Sequence, residues 1–257
     1  MFHRVLLVCI LCAAVASFLV LGFRPAPESP VVFQESFDQG GLDSNRWEII
    51  MDGDFAEVVV DVYDADPGVD NDYRLRLQAN TVGTSDPLKF LGIRSRKEFD
   101  LSNGRAVSFD LDWNDQSNGC YLTASLYLCP VISDNPKNEG NWLKFEYTGV
   151  PPGRNVRINI WQKTDGVIEE LLTDWGPTDE QGRPIGKLLE IGNQGIELLL
   201  EENNLQVFEN NKEVLRRSDY ELSFTTSYIY LQMSSGTNYP SRAVYFDNIT
   251  VRDVITN

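Results

Sequence analysis

From Val31 onward, apolar and polar residues alternate with a period of two, in runs closed by Gly, Asn, Asp or Pro. That pattern predicts β-strands with one buried face. Val107, Phe109, Leu111 and Trp113 fall on one side of a run, with Ser108, Asp110, Asp112 and Asn114 on the other. Leu122, Ala124, Leu126 and Leu128 oppose Tyr121, Thr123, Ser125 and Tyr127. Leu143, Phe145 and Tyr147 oppose Trp142, Lys144 and Glu146, and Val156, Ile158 and Ile160 oppose Arg157, Asn159 and Trp161. Ile229, Leu231 and Met233 oppose Tyr228, Tyr230 and Gln232. Asn203-Asn204 and Asn210-Asn211 read as hairpin turns, because Asn tolerates positive φ. Glu197–Glu202, bounded by Gly195 and Asn203, is expected as strand and not helix. So many short strands predict an all-β chain of two packed antiparallel sheets. Leu171–Lys187, with Trp175, Pro177, Gly182, Pro184 and Gly186, has no pattern of its own and is expected as a long loop.

Before the strands the pattern is different. Val5–Phe23 is an apolar run without a charge, flanked by Arg4 and Arg24. It is near the length that spans a bilayer as a helix. Ala14-Val15-Ala16 also has the form of a cleavage site. Two readings of residues 1–23 stay open: an uncleaved signal-anchor or a cleaved signal peptide. Either one exports the rest of the chain, to the periplasm or cell surface. Residues 24–30 form a Pro-rich linker, and residues 31–257 form the sandwich.

Charge narrows the partners. The chain carries 22 basic and 38 acidic residues, a net −16. The first 27 residues hold Arg4 and Arg24 and no acid, so the rest of the chain has 20 basic residues against 38 acidic ones. Such a surface repels nucleic acid and anionic headgroups. It suits calcium, cationic partners or plain solubility. His3 is the one histidine and precedes the body, which excludes a His-dependent triad there and disfavours zinc. No P-loop occurs. Cys120 and Cys129 are the cysteines of the body; an extended run between them would hold them too far apart to bond, so a disulfide requires a turn. Asn248-Ile249-Thr250 is a glycosylation sequon inside an expected strand, relevant in a eukaryotic secretory host.

Two stretches carry a family resemblance. Phe33-Gln34-Glu35-Ser36-Phe37-Asp38 leads through Gly40-Gly41-Leu42-Asp43 to Trp47, and Tyr228–Gln232 leads to Val244-Tyr245-Phe246-Asp247-Asn248-Ile249-Thr250-Val251. This resembles the concanavalin A-like lectin/glucanase superfamily, which includes laminin-G-like modules and family 16 glycosidases. The resemblance implies a jelly roll, here preceded by one N-terminal hydrophobic helix. It implies a structural calcium ion between the first and last strands, with Glu35 and Asp247 as carboxylates and carbonyls near Gly40 as further ligands. The alternation slips between Phe246 and Ile249, as a bulge at Asp247-Asn248 would make it do.

The glycosidases of that superfamily carry Glu-x-Asp-x-x-Glu on one strand, and no such motif occurs here. Asp110-Leu111-Asp112-Trp113-Asn114-Asp115 is the nearest spacing, with Asp in place of Glu. The polar strand faces offer a binding site instead. If neighbouring strands share a sheet, Tyr121, Tyr127, Trp142, Lys144, Glu146, Arg157, Asn159 and Trp161 line one face as ligand-binding residues, with Asp110, Asp112, Tyr228 and Gln232 beside them. Rings that stack on sugar C–H faces, interspersed with donors and acceptors, suit a glycan. The same rings also serve cross-strand packing in any sheet. Three functions are weighed: a non-catalytic carbohydrate-binding module, an anchored accessory subunit whose partner is a membrane protein complex, and a glycan-cleaving enzyme with divergent carboxylates.

Overall fold

A computed structural model describes residues 29–69, 72–112, 121–150, 155–176, 180–182 and 194–254. The Val5–Phe23 run, Trp113, Asn114, Asp115 and Cys120 lie outside the described residues, and with them the anchor, the N-terminal helix and the disulfide. Among the described residues no helix is long and apolar enough to cross a membrane.

The strands, in chain order, are β1 (Val31–Glu35), β2 (Trp47–Asp52), β3 (Glu57–Asp64), β4 (Tyr73–Asn80), β5 (Lys89–Ser95), β6 (Phe99–Asp100), β7 (Arg105–Asp112), β8 (Leu122–Cys129), β9 (Trp142–Val150), β10 (Asn155–Thr164), β11 (Val167–Asp174), β12 (Gln194–Glu201), β13 (Asn204–Glu209), β14 (Lys212–Ser218), β15 (Thr226–Ser235) and β16 (Arg242–Asp253). They form two antiparallel sheets. The first runs β14-β13-β12-β7-β16-β4-β3, with β1 also on β16. The second runs β11-β10-β9-β8-β15-β5-β2, with β6 also on β15. This is the expected all-β jelly-roll sandwich.

The core comes from the alternating sets. Val107, Phe109 and Leu111 of the first sheet meet Leu126, Phe145, Ile160 and Leu231 of the second in one buried cluster. Phe109 and Phe145 make an edge-to-face contact between the sheets, with centroids 5.9 Å apart. Burying a side chain of this size stabilises by about 1.5–3 kcal/mol, so a register slip that turned one such strand over would be strongly disfavoured.

The turns follow the local chemistry. Asn210 and Asn211 both have positive φ, 49° and 63°, as a two-residue hairpin between β13 and β14 requires. The other hairpin turns at Glu202-Asn203, one residue earlier than expected, because Asn204 already pairs with Glu201. Glu197–Glu201 is strand. The expected loop Leu171–Lys187 begins later than the sequence implied: Leu171–Asp174 completes β11, where Leu171 is buried in the core and Leu172 pairs with Ile160.

Candidate binding site on the outer face of the second sheet

Three strands build the site, and their register does the placing. Across β8, β9 and β10, Tyr127 lies opposite Lys144 and Lys144 opposite Trp161. The next row is Ser125, Glu146 and Asn159; the one after it is Thr123, Thr148 and Arg157. Because side chains alternate, all three rows stand on the face away from the core. All eight sequence-selected residues, from Tyr121 through Trp161, line one cavity of about 230 Å³. Phe90, Lys137, Ile168 and Ser234 join them from neighbouring segments.

The floor of the cavity is a closed polar network. The Glu146 carboxylate accepts from Lys144 Nζ at 2.9 Å, Ser125 Oγ at 3.2 Å, Thr148 Oγ1 at 2.7 Å and Asn159 Nδ2 at 3.2 Å. Burial alone would raise its pKa; the Lys144 charge and the donated hydrogen bonds outweigh that and hold it below the ordinary carboxyl value. Lys144 is enclosed in turn. Its ammonium lies 5.5 Å, 5.9 Å and 5.7 Å from the ring centroids of Tyr127, Trp142 and Trp161.

One expectation needs correction. Trp142 and Tyr127 are 2% and 1% exposed and present no open ring to a ligand. They belong to a second apolar cluster with Ile50, Cys129 and Tyr230, on the outer side of the sheet. The segment between β8 and β9 packs onto that cluster. Tyr230 Oη bonds with Val131 O at 2.5 Å and with the Ser133 N–H at 3.0 Å, and Trp142 Nε1 donates to Lys137 O at 3.4 Å. Asn135, which caps the short 3₁₀ turn Pro136–Asn138, bonds to Asp52 on β2. The open rings are those of Trp161 and Tyr121, both half-buried. Gln232 and Tyr228 lie on the same sheet but outside the cavity lining. Cys129 is a free, buried thiol.

Two donors at the site lack partners. Trp161 Nε1 and Arg157 Nε are buried without a hydrogen-bond partner. The Arg157 guanidinium stacks over Trp175 at 4.4 Å, so the start of the β11–β12 connection reaches the rim.

Asp110 and Asp112 do not join the site. Their strand, β7, pairs with β12 and β16 in the first sheet, so chain neighbours β7 and β8 lie in opposite sheets. Asp112 Oδ2 accepts from Arg74 Nη1 at 2.7 Å, and Asp110 accepts from Asn248 Nδ2 at 2.8 Å. They form no cleft-flanking pair with Glu146. A larger hollow of about 590 Å³ lies over Asp110, Glu197, Phe208 and Asn248 on that other sheet; among the described residues its lining has two rings, Phe109 and Phe208, and amide and hydroxyl donors, but no Trp, Tyr, Lys or Arg.

The residues expected to hold calcium make the following contacts. Glu35 Oε1 accepts from the Phe37 N–H, and Oε2 accepts from Trp47 Nε1 at 3.0 Å and pairs with Arg46 Nη1 at 3.0 Å. Its carboxylate is thus committed to a guanidinium. Gly40 sits in the β1–β2 turn at φ 70°, bonded through its N–H to Phe37 O. The bulge at Asp247 is present: register shifts between Asp247 and Thr250, and Asn248 has φ 50°. Among the described residues no three His, Cys, Asp or Glu side chains form a metal-binding group.

No protein-family model matches the chain, and no curated protein matches it. Solved structures do. The catalytic domain of an endo-1,3-beta-glucanase (laminarinase) from Thermotoga petrophila superposes with a TM-score of 0.63 at 12% identity, over 90% of this chain and 100% of that one. A structure from work on endo-acting O-glycanases of the human gut microbiota gives 0.59 at 15% identity, over 88% and 100%. A Bacteroides ovatus mixed linkage glucan GH16 protein in complex with product gives 0.58 at 14%, over 86% and 100%. The chain has the fold these proteins share, a two-sheet antiparallel jelly-roll sandwich. At such identities the likeness defines the fold class and not an activity.

Proposed function

We propose that this chain is an exported, non-catalytic carbohydrate-binding sandwich that holds a glycan over the β8–β9–β10 face. The observation that carries the reading is the Trp161 ring. It is half-buried at the cavity, with an indole N–H that has no partner and polar side chains in the adjoining rows. A sugar satisfies both features, stacking its C–H face on the ring and offering a hydroxyl to the N–H. The structural neighbours named above are glycan-active proteins by their titles, which agrees with the reading. Non-catalysis is supported by the state of Glu146, the one carboxylate lining the cavity among the described residues. Retaining hydrolysis needs two carboxyl groups about 5–5.5 Å apart, and inversion needs two as well. Here four donors occupy the single carboxylate. Export rests on Val5–Phe23.

Glycan-array retention of the full chain, in mild detergent, tests the proposal. Affinity is expected between about millimolar and micromolar. Trp161→Ala should abolish retention while the thermal melt stays cooperative. Unchanged retention by the variant, or release of reducing ends by the parent, would overturn it.

A further inference from the structure

We infer that the sugar this cavity selects is anionic, carrying a carboxylate or sulfate group that docks on Arg157. The inference rests on the glycan reading and adds the charge of the ligand. It begins from an inversion of charge. The chain as a whole is −16, yet among the described residues the cavity lining holds Lys137, Lys144 and Arg157 against one acid, Glu146. Lys144 and Glu146 neutralise one another. What remains is two cations, Lys137 and Arg157, and neither forms an ion pair with an acid among the described residues.

Arg157 is the stronger of the two. Its recorded contact is with the Trp175 ring, and its Nε–H is buried and unpaired. Other half-buried arginines of this protein are paired: Arg74 with Asp112, Arg76 with Asp61 and Arg105 with Asp253. Leaving a partly desolvated guanidinium without a carboxylate is costly unless a ligand supplies the anion. Ring stacking orients the planar guanidinium, whose fork is suited to bidentate carboxylate or sulfate. Lys137 packs its ammonium 5.3 Å from the Phe90 centroid. Partial burial and the charges of Lys144 and Lys163 lower its pKa, against the opposing pull of Glu146. Glu170 stands opposite Trp161 in register but is exposed and lies outside the lining.

The remaining inventory points the same way. Trp161 Nε1, Arg157 and Lys137 are all donors, while the cavity's carboxylate acceptor is saturated. A neutral sugar hydroxyl both donates and accepts; a carboxylate or sulfate only accepts, and a donor surplus favours it. The acidic exterior would repel a long polyanion, so a short oligosaccharide is the appropriate probe.

The test is calorimetric titration of the full chain in mild detergent with three oligosaccharides of equal length. One is a uronate oligomer, one a sulfated galactan oligomer and one a neutral β-1,3-glucan oligomer. At least one anionic probe should bind about tenfold or more tightly than the neutral one. The uronate and sulfate arms identify which anion is recognised. Arg157→Gln should remove that preference, bringing the affinity of the anionic probe down to about that of the neutral one. Arg157→Lys, a point charge without the fork, should restore it only in part. Lys137→Gln alters an exposed side chain, does not threaten the fold, and should weaken the same anionic probe. Equal binding of neutral and anionic probes, untouched by Arg157→Gln, overturns the charge inference and leaves the glycan reading standing. Failure of every glycan, on the array and in solution, overturns both.

Discussion

Lys144 Nζ and Glu146 Oε2 lie 2.9 Å apart, on side chains that are 12% and 11% exposed, two residues apart on the same face of β9. The pair is the hinge of the outer-face site. It faces three aromatic rings on one side and the Ser125, Thr148 and Asn159 donors on the other. Its closure leaves Lys137 and Arg157 without an ion-paired acid among the described residues, and it occupies the Glu146 carboxylate with four donors.

Removing one member should therefore cost far more than removing both. Lys144→Met leaves Glu146 buried without its counter-ion, and a loss on the order of 3–5 kcal/mol is expected. The double variant Lys144→Met, Glu146→Gln should recover most of it, because the remaining donors still meet an amide oxygen. The sign with pH is fixed by the lowered Glu146 pKa. The stability this carboxylate contributes is present above its ordinary value of 4.5 and is lost as pH falls through its lower folded value. Denaturant titrations of the single and double variants at pH 7 check the expectation; additive losses would show that the two side chains act independently.

Gly92, on β5, is a second constraint on the same sheet. A Cβ built there would stand 2.3 Å from Leu231 O and 3.1 Å from Gln232 Cα, both backbone atoms of β15. Gly92→Ala must push β5 and β15 apart, at a cost on the order of 3 kcal/mol. In a domain of this size that lowers the melting temperature by roughly 6–12 °C. Gly41→Ala is the control, since a Cβ there meets nothing within 4 Å. Equal melting temperatures for the two variants would contradict the close approach.

A chain that begins at Ser29 should fold and stay soluble. The buried cluster draws its members from Phe33 through Val251, and residues 31–257 form their own compact unit. A cooperative thermal melt of that chain checks it; an unfolded product would make the core dependent on the preceding residues.

The eight site residues were legible in the sequence for a physical reason. Alternation fixes which side chains share a face, and β8, β9 and β10 are chain neighbours joined in order, so Tyr127, Lys144 and Trp161 fall in one row. Asp110 and Asp112 show where this fails. Alternation puts them on a polar face, but it does not say to which sheet that face belongs, and β7 pairs with β12 and β16, strands far away in the chain. Burial of Trp142 was hidden for another reason. The segment that covers it, from Val131 to Lys137, acts through backbone groups and a capped turn, which leave no apolar period to read. The Arg46–Glu35 ion pair could not be read, because Arg46 sits in an unpatterned turn. The Asp247 bulge, by contrast, broke the alternation itself and could be seen.

That bulge supplies the last prediction. Burial, opposed by the hydrogen bond from the Asn248 N–H, raises the Asp247 pKa from 3.8 to about 7, and the nearby charges of Asp110 and Asp38 push it the same way. Arg74 acts against them. A folded-state value above the unfolded one means the native protein holds this proton more tightly. The contribution to stability is then fully present below about pH 4 and is lost as pH rises through 7. Partial solvent access limits its size to on the order of 1–2 kcal/mol. Asp247→Asn keeps an oxygen for the Asn248 N–H and cannot ionise, so it should lack this loss. Chemical denaturation of parent and variant, both freed of divalent ions by chelation, at pH 5 and at pH 8 gives the comparison. The variant should gain on the parent by about a kcal/mol between the two pH values. The chain's overall repulsion at −16 is common to both and nearly cancels in the difference. Parallel pH profiles would show that Asp247 is already ionised at pH 5, and that its neighbours are better screened than the bulge geometry implies.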